Sequence, residues 1–138
     1  MKKHQLIRLF ALSLSFILLI SFTATATPRI DPRWDYLIYI SGFIDISNNK
    51  ASIEVSADAD PTDVDKIKAT CSLQRLDGSW KTLKTWTETD NSSSILYEKT
   101  YGVYSGYNYR LKITVYAYKD GKLLESATEY FDYGYYDE

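Results

Sequence analysis

The sequence predicts an all-β protein built as a two-sheet antiparallel sandwich. Short runs rich in Val, Ile, Leu and Tyr recur about every 8–12 residues between turn signals, giving about seven strands. Several runs alternate apolar and polar residues, which is typical of strands with one face in a core and one face in water. No stretch of ten or more residues has a helical period. These observations favour a sandwich over folds that contain helices.

The first three strands are predicted at residues 36–46, 51–57 and 66–76. Ser41 and Gly42 suggest a bend or bulge in the first strand, because glycine within a strand often marks one. In the third strand, residues 67, 69, 71 and 73 are apolar or small while their neighbours are polar. This period of two indicates that the third strand is buried on one face only.

The remaining strands are predicted at residues 80–87, 95–101, 107–118 and 123–130. The dipeptide Asp77-Gly78 is a hairpin signal between the third and fourth strands. The run 107–118 has the clearest alternation: its odd positions are expected to face the core and its even positions to face solvent.

The first 26 residues form a separate segment. Three basic residues within the first eight precede a run of 14 uncharged, largely apolar residues, and Ala24 and Ala26 then form an A-x-A pattern. This order matches a secretory signal peptide. The alternative, an uncleaved membrane anchor, needs roughly 20 apolar residues. We expect cleavage after Ala26, secretion, and no membrane attachment of the mature chain.

After cleavage, the mature chain is predicted to have three regions. These are a flexible lead-in at 27–35, a sandwich domain at 36–131 and an acidic, Tyr-rich tail at 132–138. Three of the 16 Lys and Arg residues leave with the signal segment, so 13 basic residues remain against 18 acidic ones. An acidic chain without a basic run argues against a nucleic-acid partner and against binding to anionic lipid.

The composition excludes several catalytic arrangements. The only histidine is His4, so the mature chain cannot form Ser-His-Asp or Cys-His sites or bind a metal through histidine. The single cysteine, Cys71, falls on the inner face of its strand and is expected in the core, although pairing with a second chain is an alternative. No acidic residue lies in an apolar run that would raise its pKa for glycoside hydrolysis. We therefore expect no enzyme and no cofactor.

One loop gathers four acidic residues in the sequence DADPTDVD: Asp58, Asp60, Asp63 and Asp65. Calcium prefers several oxygen ligands, which makes this loop the candidate cation site. The spacing lacks the glycine and the glutamate of an EF-hand. The alternative is a solvated turn with local hydrogen bonds from the Asp side chains.

The run from Gly106 to Gly121, GYNYRLKITVYAYKDG, resembles the last hairpin of fibronectin type III and related immunoglobulin-like domains. In those folds a tyrosine at the start of the penultimate strand turns its hydroxyl onto nearby backbone, and Tyr107 is the matching position. The resemblance implies an antiparallel immunoglobulin-like, fibronectin type III-like sandwich.

A wider stretch, roughly residues 42–130, is similar to a family of small secreted proteins of unknown function from Gram-positive bacteria. The matching pieces, besides the signal peptide, are Ile67, 73–75, 77–80, Trp86 and 105–110. This resemblance implies the fold and secretion, and it brings no activity. We expect Trp80 and Trp86 to have structural roles.

The aromatic content suggests a binding face. All 13 tyrosines and all three tryptophans follow the signal segment. Tyr116 and Tyr118 are predicted to face outward beside Arg110 and Lys112, where rigid aromatic rings could anchor a protein or stack on sugars. The alternative is that aromatic residues are simply good strand formers.

We therefore expect a secreted or cell-envelope binding module without catalytic activity, whose partner is an extracellular protein or a cell-wall glycan. The alternative is a small carbohydrate-binding domain that uses an exposed Tyr/Trp face.

Overall fold

The computed structural model describes residues 33–137, which form seven antiparallel strands and no helix, and hence no helix that could cross a membrane. The strands are β1 (Leu37–Ser47), β2 (Lys50–Ala59), β3 (Lys66–Asp77), β4 (Ser79–Asp90), β5 (Ser94–Gly102), β6 (Tyr107–Lys119) and β7 (Lys122–Tyr136). One sheet has the order β1-β2-β5 and the other the order β4-β3-β6-β7. The predicted all-β sandwich is confirmed.

The position of β4 distinguishes between immunoglobulin-like arrangements. In a constant-type immunoglobulin domain the fourth strand joins the sheet of the first two strands. Here β4 pairs with β3, so the sheets have three and four strands. This strand order agrees with the fibronectin type III-like sandwich that the resemblance implied.

The core lies between the sheets and follows the alternation of the central strands. In β6 the odd residues from Tyr109 to Ala117 are fully buried, and in β3 residues 67, 69, 71 and 73 are fully buried opposite them. Cys71 is one of these core residues, and burial raises the pKa of its thiol to about 12. The thiol is therefore protonated at neutral pH and packs as a small apolar side chain.

Gly42 marks a close approach between the sheets rather than a bulge. A Cβ at this position would lie 2.5 Å from Ile113 Cδ1 and 2.7 Å from Phe131 Cδ2. The irregularity in β1 falls between Leu37 and Tyr39 instead, which corrects the bulge expected at Ser41-Gly42. Glycine is needed here because β1 passes directly over β6 and β7.

The C-terminal residues belong to the fold, so the prediction of a tail at 132–138 is wrong for residues 132–136. β7 continues to Tyr136, and a bulge opposite Arg110 lets the strand resume pairing beyond Asp132. Tyr136 is buried, and its hydroxyl accepts a hydrogen bond from the Asn49 amide at 3.0 Å. The Tyr133 hydroxyl donates to the Ile46 carbonyl at 3.3 Å. Both tyrosines thus tie the last strand to the first hairpin.

The predicted signal segment at 1–26 and most of the predicted lead-in lie outside the described residues. The end of the lead-in is held in place, which corrects the flexible lead-in for Trp34 and Asp35. Trp34 packs against the core. The Glu125 carboxylate accepts hydrogen bonds from the amides of Asp35, Tyr36 and Leu37 at 3.0, 2.9 and 2.8 Å. One acidic side chain thereby fixes the entry into β1.

Candidate functional site

The outer face of the four-stranded sheet carries cations and aromatic rings side by side. We call this surface the basic-aromatic face; its members are Lys66, Lys68, Trp80, Arg110, Lys112, Tyr116, Tyr118 and Tyr130. Strand pairing brings them together, since Lys66 lies opposite Tyr118, Lys68 opposite Tyr116 and Lys112 opposite Tyr130. The surface includes all four residues that the sequence predicted as a binding site.

At one end of this face, lysines from β3 lie over tyrosines from β6. Lys68 Nζ is 4.4 Å from the centre of the Tyr116 ring, and Lys66 Nζ is 4.7 Å from that of Tyr118. Lys68 also lies 5.8 Å from the Tyr118 ring. A cation within about 6 Å of a ring face is attracted to the π-electrons. All four side chains are half-buried, so the ammonium groups are held close to the sheet.

At the other end, Arg110 is stacked between two rings. Its guanidinium carbon is 4.1 Å from the Trp80 ring and 4.4 Å from the Tyr130 ring. Arg110 Nε also donates to Gln74 Oε1 at 2.8 Å, and Gln74 Nε2 donates to Thr82 Oγ1 at 3.1 Å. The two rings and the buried Gln74 therefore fix the orientation of the guanidinium.

Between the two ends lies a band of paired hydroxyl groups. The hydroxyl oxygens are 2.8–3.0 Å apart in three cross-strand pairs: Thr70–Thr87, Ser72–Thr85 and Thr114–Thr128. These side chains lie on the same face because the residues are directly opposite in register. The centre of the surface is thus polar, and it includes one cation, Lys112, which lies opposite Ser72.

The two outer faces of the sandwich differ in charge. The basic-aromatic face has four cations and one acidic residue, Asp132. This residue lies opposite Arg110 in the strand register. The outer face of the three-stranded sheet carries four acidic residues and Lys50 at its end; we call it the acidic face, and its acids are Asp45, Glu54, Asp58 and Glu98. Glu54 and Glu98 are direct cross-strand neighbours. Net charge alone could not reveal this separation.

The residue that makes the hydrogen bonds of a tyrosine corner is Tyr109, which corrects the assignment to Tyr107. The Tyr109 hydroxyl donates to the Tyr104 carbonyl at 2.6 Å and accepts from the Tyr104 amide at 3.2 Å. Tyr107 is half-buried, and the Arg75 guanidinium lies 4.2 Å from its ring centre. β6 begins at Tyr107, but the ring whose hydroxyl contacts the loop before this strand is that of Tyr109, the next residue that faces inward.

The two tryptophans of β4 lie on opposite faces of the sheet. Trp86 packs against the core and makes an edge-to-face contact with Tyr101, with ring centres 6.2 Å apart. Trp80 lies on the outer face against Arg110. An even spacing of six residues would place both on one face of a regular strand. A bulge opposite Leu73 and Gln74 inserts one residue between them and reverses the alternation.

The four aspartates of the candidate calcium loop do not converge on one point. Asp58 lies within β2. Asp60 Oδ1 accepts a hydrogen bond from the Thr62 amide at 2.8 Å, and Asp65 Oδ2 accepts one from the Asp120 amide at 2.9 Å. Across residues 33–137, no group of three His, Cys, Asp or Glu side chains is arranged to hold a metal ion. Asp60 thus stabilises its own turn, as the alternative interpretation expected, whereas Asp65 holds the distant turn between β6 and β7.

No protein-family model matches the chain, and no curated protein is found to be similar to it.

Proposed function

We propose that the protein is a secreted binding module without catalytic activity, and that its basic-aromatic face holds an acidic protein partner. The proposal is carried by one observation: lysine and arginine cations lie over aromatic rings of neighbouring strands across β3, β4, β6 and β7. The face extends across four neighbouring strands, which suits a protein surface better than a small molecule.

The ring contacts reduce the entropy that binding would cost. A free lysine or arginine side chain loses about 1.5–2 kcal/mol of conformational entropy when it is fixed. In this protein Lys66, Lys68 and Arg110 are already restrained by their rings. Side chains that are ordered before binding contribute more of their interaction energy to affinity. An acidic partner would also be steered to this face by its charge.

The same contacts argue against a neutral sugar at Tyr116 and Tyr118. Stacking on a sugar requires an open ring face. A lysine ammonium already occupies one face of each ring. The cations and the hydroxyl band instead offer hydrogen-bond donors, which match the carboxylates of an acidic polypeptide.

A carbohydrate ligand is the second candidate, favoured by two tyrosines of β7. Tyr130 and Tyr135 are 49% and 59% exposed and lie on the same outer face. A glycan could stack on Tyr135 without displacing the lysines, whereas at Tyr130 it would share the ring with Arg110. The two candidates therefore overlap at Tyr130 and differ in whether the ligand contacts the lysines of β3 or Tyr135 of β7.

The test compares binding of the purified secreted protein to immobilised poly-L-glutamate, poly-L-lysine and a neutral β-glucan. We expect binding to poly-L-glutamate that weakens with added salt. The double variant Tyr116→Ala/Tyr118→Ala should weaken this binding, because the lysines lose the rings that position them. The matched control Glu54→Gln/Glu98→Gln changes two residues on the acidic face and should retain it.

Two outcomes would contradict the proposal of an acidic partner. If the Tyr116→Ala/Tyr118→Ala protein binds poly-L-glutamate as wild type does, this surface does not carry the interaction. If only the β-glucan is retained, and Tyr130→Ala releases it, the carbohydrate function replaces the proposed one.

A further inference from the structure

A separate cleft of about 370 Å³ lies at one end of the sandwich. It opens between the end of β3, the edge strand β4 and the loop after β5. Its walls include Asn49, Arg75, Leu83, Tyr101, Tyr104 and Tyr109. The volume falls in the range of small-molecule sites, and the lining combines aromatic and aliphatic groups with one cation.

Hydrogen bonds hold the loop that forms one wall of this cleft. The Val103 amide donates to the Asn49 carbonyl at 2.9 Å, and the Gly106 amide donates to the Tyr136 carbonyl at 2.8 Å. Between them, the Tyr109 hydroxyl bonds both backbone groups of Tyr104. The wall is thus anchored at three points, so a ligand would not have to order it.

Arg75 is the positively charged residue of the cleft, and its guanidinium makes few hydrogen bonds. Its guanidinium is stacked on Tyr107 at 4.2 Å, and its Nη2 lies 3.4 Å from Asp77 Oδ2, a long contact for a charged pair. Its Nε is buried and has no hydrogen-bond partner within residues 33–137. Buried donors without a partner are uncommon in folded proteins. The edge formed by Nε and Nη2 is the side of an arginine that receives a carboxylate through two parallel hydrogen bonds.

We propose that this cleft binds a small carboxylate with a flat apolar body. The carboxylate meets the guanidinium of Arg75 and replaces the long contact with Asp77. The body of the ligand lies against Leu83, Tyr101 and the exposed ring of Tyr104. Arginine suits this role because its planar fork matches the two oxygens of a carboxylate.

The cleft is distinct from the basic-aromatic face. Arg75 is opposite Tyr109 in register and shares the inward side with it, whereas Gln74 and Arg110 share the outward side. A ligand in the cleft would therefore leave Arg110 and the lysines of β3 free to bind a partner.

The test uses two-dimensional NMR of the purified protein titrated with benzoate and, separately, with neutral benzamide. We expect benzoate to shift the Arg75 Nε–H signal and the amide signals of residues 102–104 in a saturable way. Arg75→Gln should weaken benzoate binding by about tenfold or more, the scale of one charged hydrogen bond. Arg75→Lys, which keeps the charge and loses the fork, should weaken it less.

The control variant Lys84→Gln removes an exposed cation from β4, beside Leu83, and should leave benzoate binding unchanged. If Arg75→Gln does not fold, the wild-type comparison of benzoate with benzamide decides the question. The proposal is overturned if benzamide binds as well as benzoate, if no shift saturates, or if the shifts fall on the outer residues of β3 and β6.

Discussion

The hydroxyl of Tyr109 makes two hydrogen bonds to the backbone of Tyr104, donating to its carbonyl at 2.6 Å and accepting from its amide at 3.2 Å. Tyr109 is fully buried, whereas the Tyr104 side chain is 73% exposed. A core ring thus fixes a loop whose own side chain points to solvent. This contact joins the packing of the sandwich to the wall of the cleft.

Tyr109→Phe should reduce the free energy of unfolding by about 1–3 kcal/mol, because two hydrogen bonds are lost at about 0.5–1.5 kcal/mol each. The ring volume is kept, so no cavity forms. Tyr107→Phe is the matched control and should cost within about 0.5 kcal/mol. Urea unfolding of the three proteins measures both values. A larger loss for Tyr107→Phe than for Tyr109→Phe would contradict the assignment of the corner.

Gly42→Ala should destabilise the protein by about 1–3 kcal/mol, the usual cost of overpacking a core. The added methyl group would meet Ile113 Cδ1 at 2.5 Å and Phe131 Cδ2 at 2.7 Å. Ile113→Val removes the closer atom, so the double variant should lose less stability than the sum of the single variants. Thermal unfolding of the four proteins gives this coupling. Strict additivity would show that β1 does not approach β6 as closely as described.

The stability should fall as the pH rises from about 9 toward 12. Burial raises the pKa of the Cys71 thiol from 9.0 to about 12, so the native chain keeps a proton that the unfolded chain releases. The pKa of the Tyr97 hydroxyl is also raised, and burial is the largest cause. This second shift likewise lowers the stability as the pH rises. One proton changes the unfolding free energy by about 1.4 kcal/mol per pH unit.

Cys71→Ala is the control for this pH dependence, since it removes one of the two titrating groups. Urea unfolding at several pH values above 9 should give a shallower decline for the variant than for wild type. Equal slopes for the two proteins would show that the thiol is not protected from ionisation by the fold.

The exported protein should begin at Thr27. The A-x-A pattern at Ala24 and Ala26 after a short apolar run is the basis of this expectation. Intact mass spectrometry of protein from the culture medium measures the N-terminus. Detection of the chain only in membranes, with Met1 retained, would contradict the proposal of secretion.

The alternation of side chains allowed much of the sandwich to be predicted. The period of two in residues 66–73 and 107–118 identified which side chains form the core, because neighbouring residues of a strand point to opposite faces. Local patterns failed where the chain departs from regular pairing. The bulge in β4 reversed Trp80 relative to Trp86, and the bulge opposite Arg110 concealed the continuation of β7 to Tyr136.

The candidate surface could be predicted only in part. The outward direction of Tyr116 and Tyr118 followed from their own strand. The lysines that cover them come from β3, some 50 residues earlier in the chain, and only the pairing of β3 with β6 brings them into contact. The cleft at Arg75 could not be foreseen, because it combines the ends of several strands with the loop after β5.

The most direct test of the acidic-partner proposal is the dissociation constant for poly-L-glutamate measured over a range of salt concentrations. Lys66→Gln/Lys68→Gln should raise this constant by about 5- to 30-fold at low salt, at about 0.5–1 kcal/mol for each exposed charge pair. The variant should also show a weaker dependence on salt, because fewer charges take part. An unchanged dissociation constant with an unchanged salt dependence would contradict the claim that the basic-aromatic face binds an acidic partner.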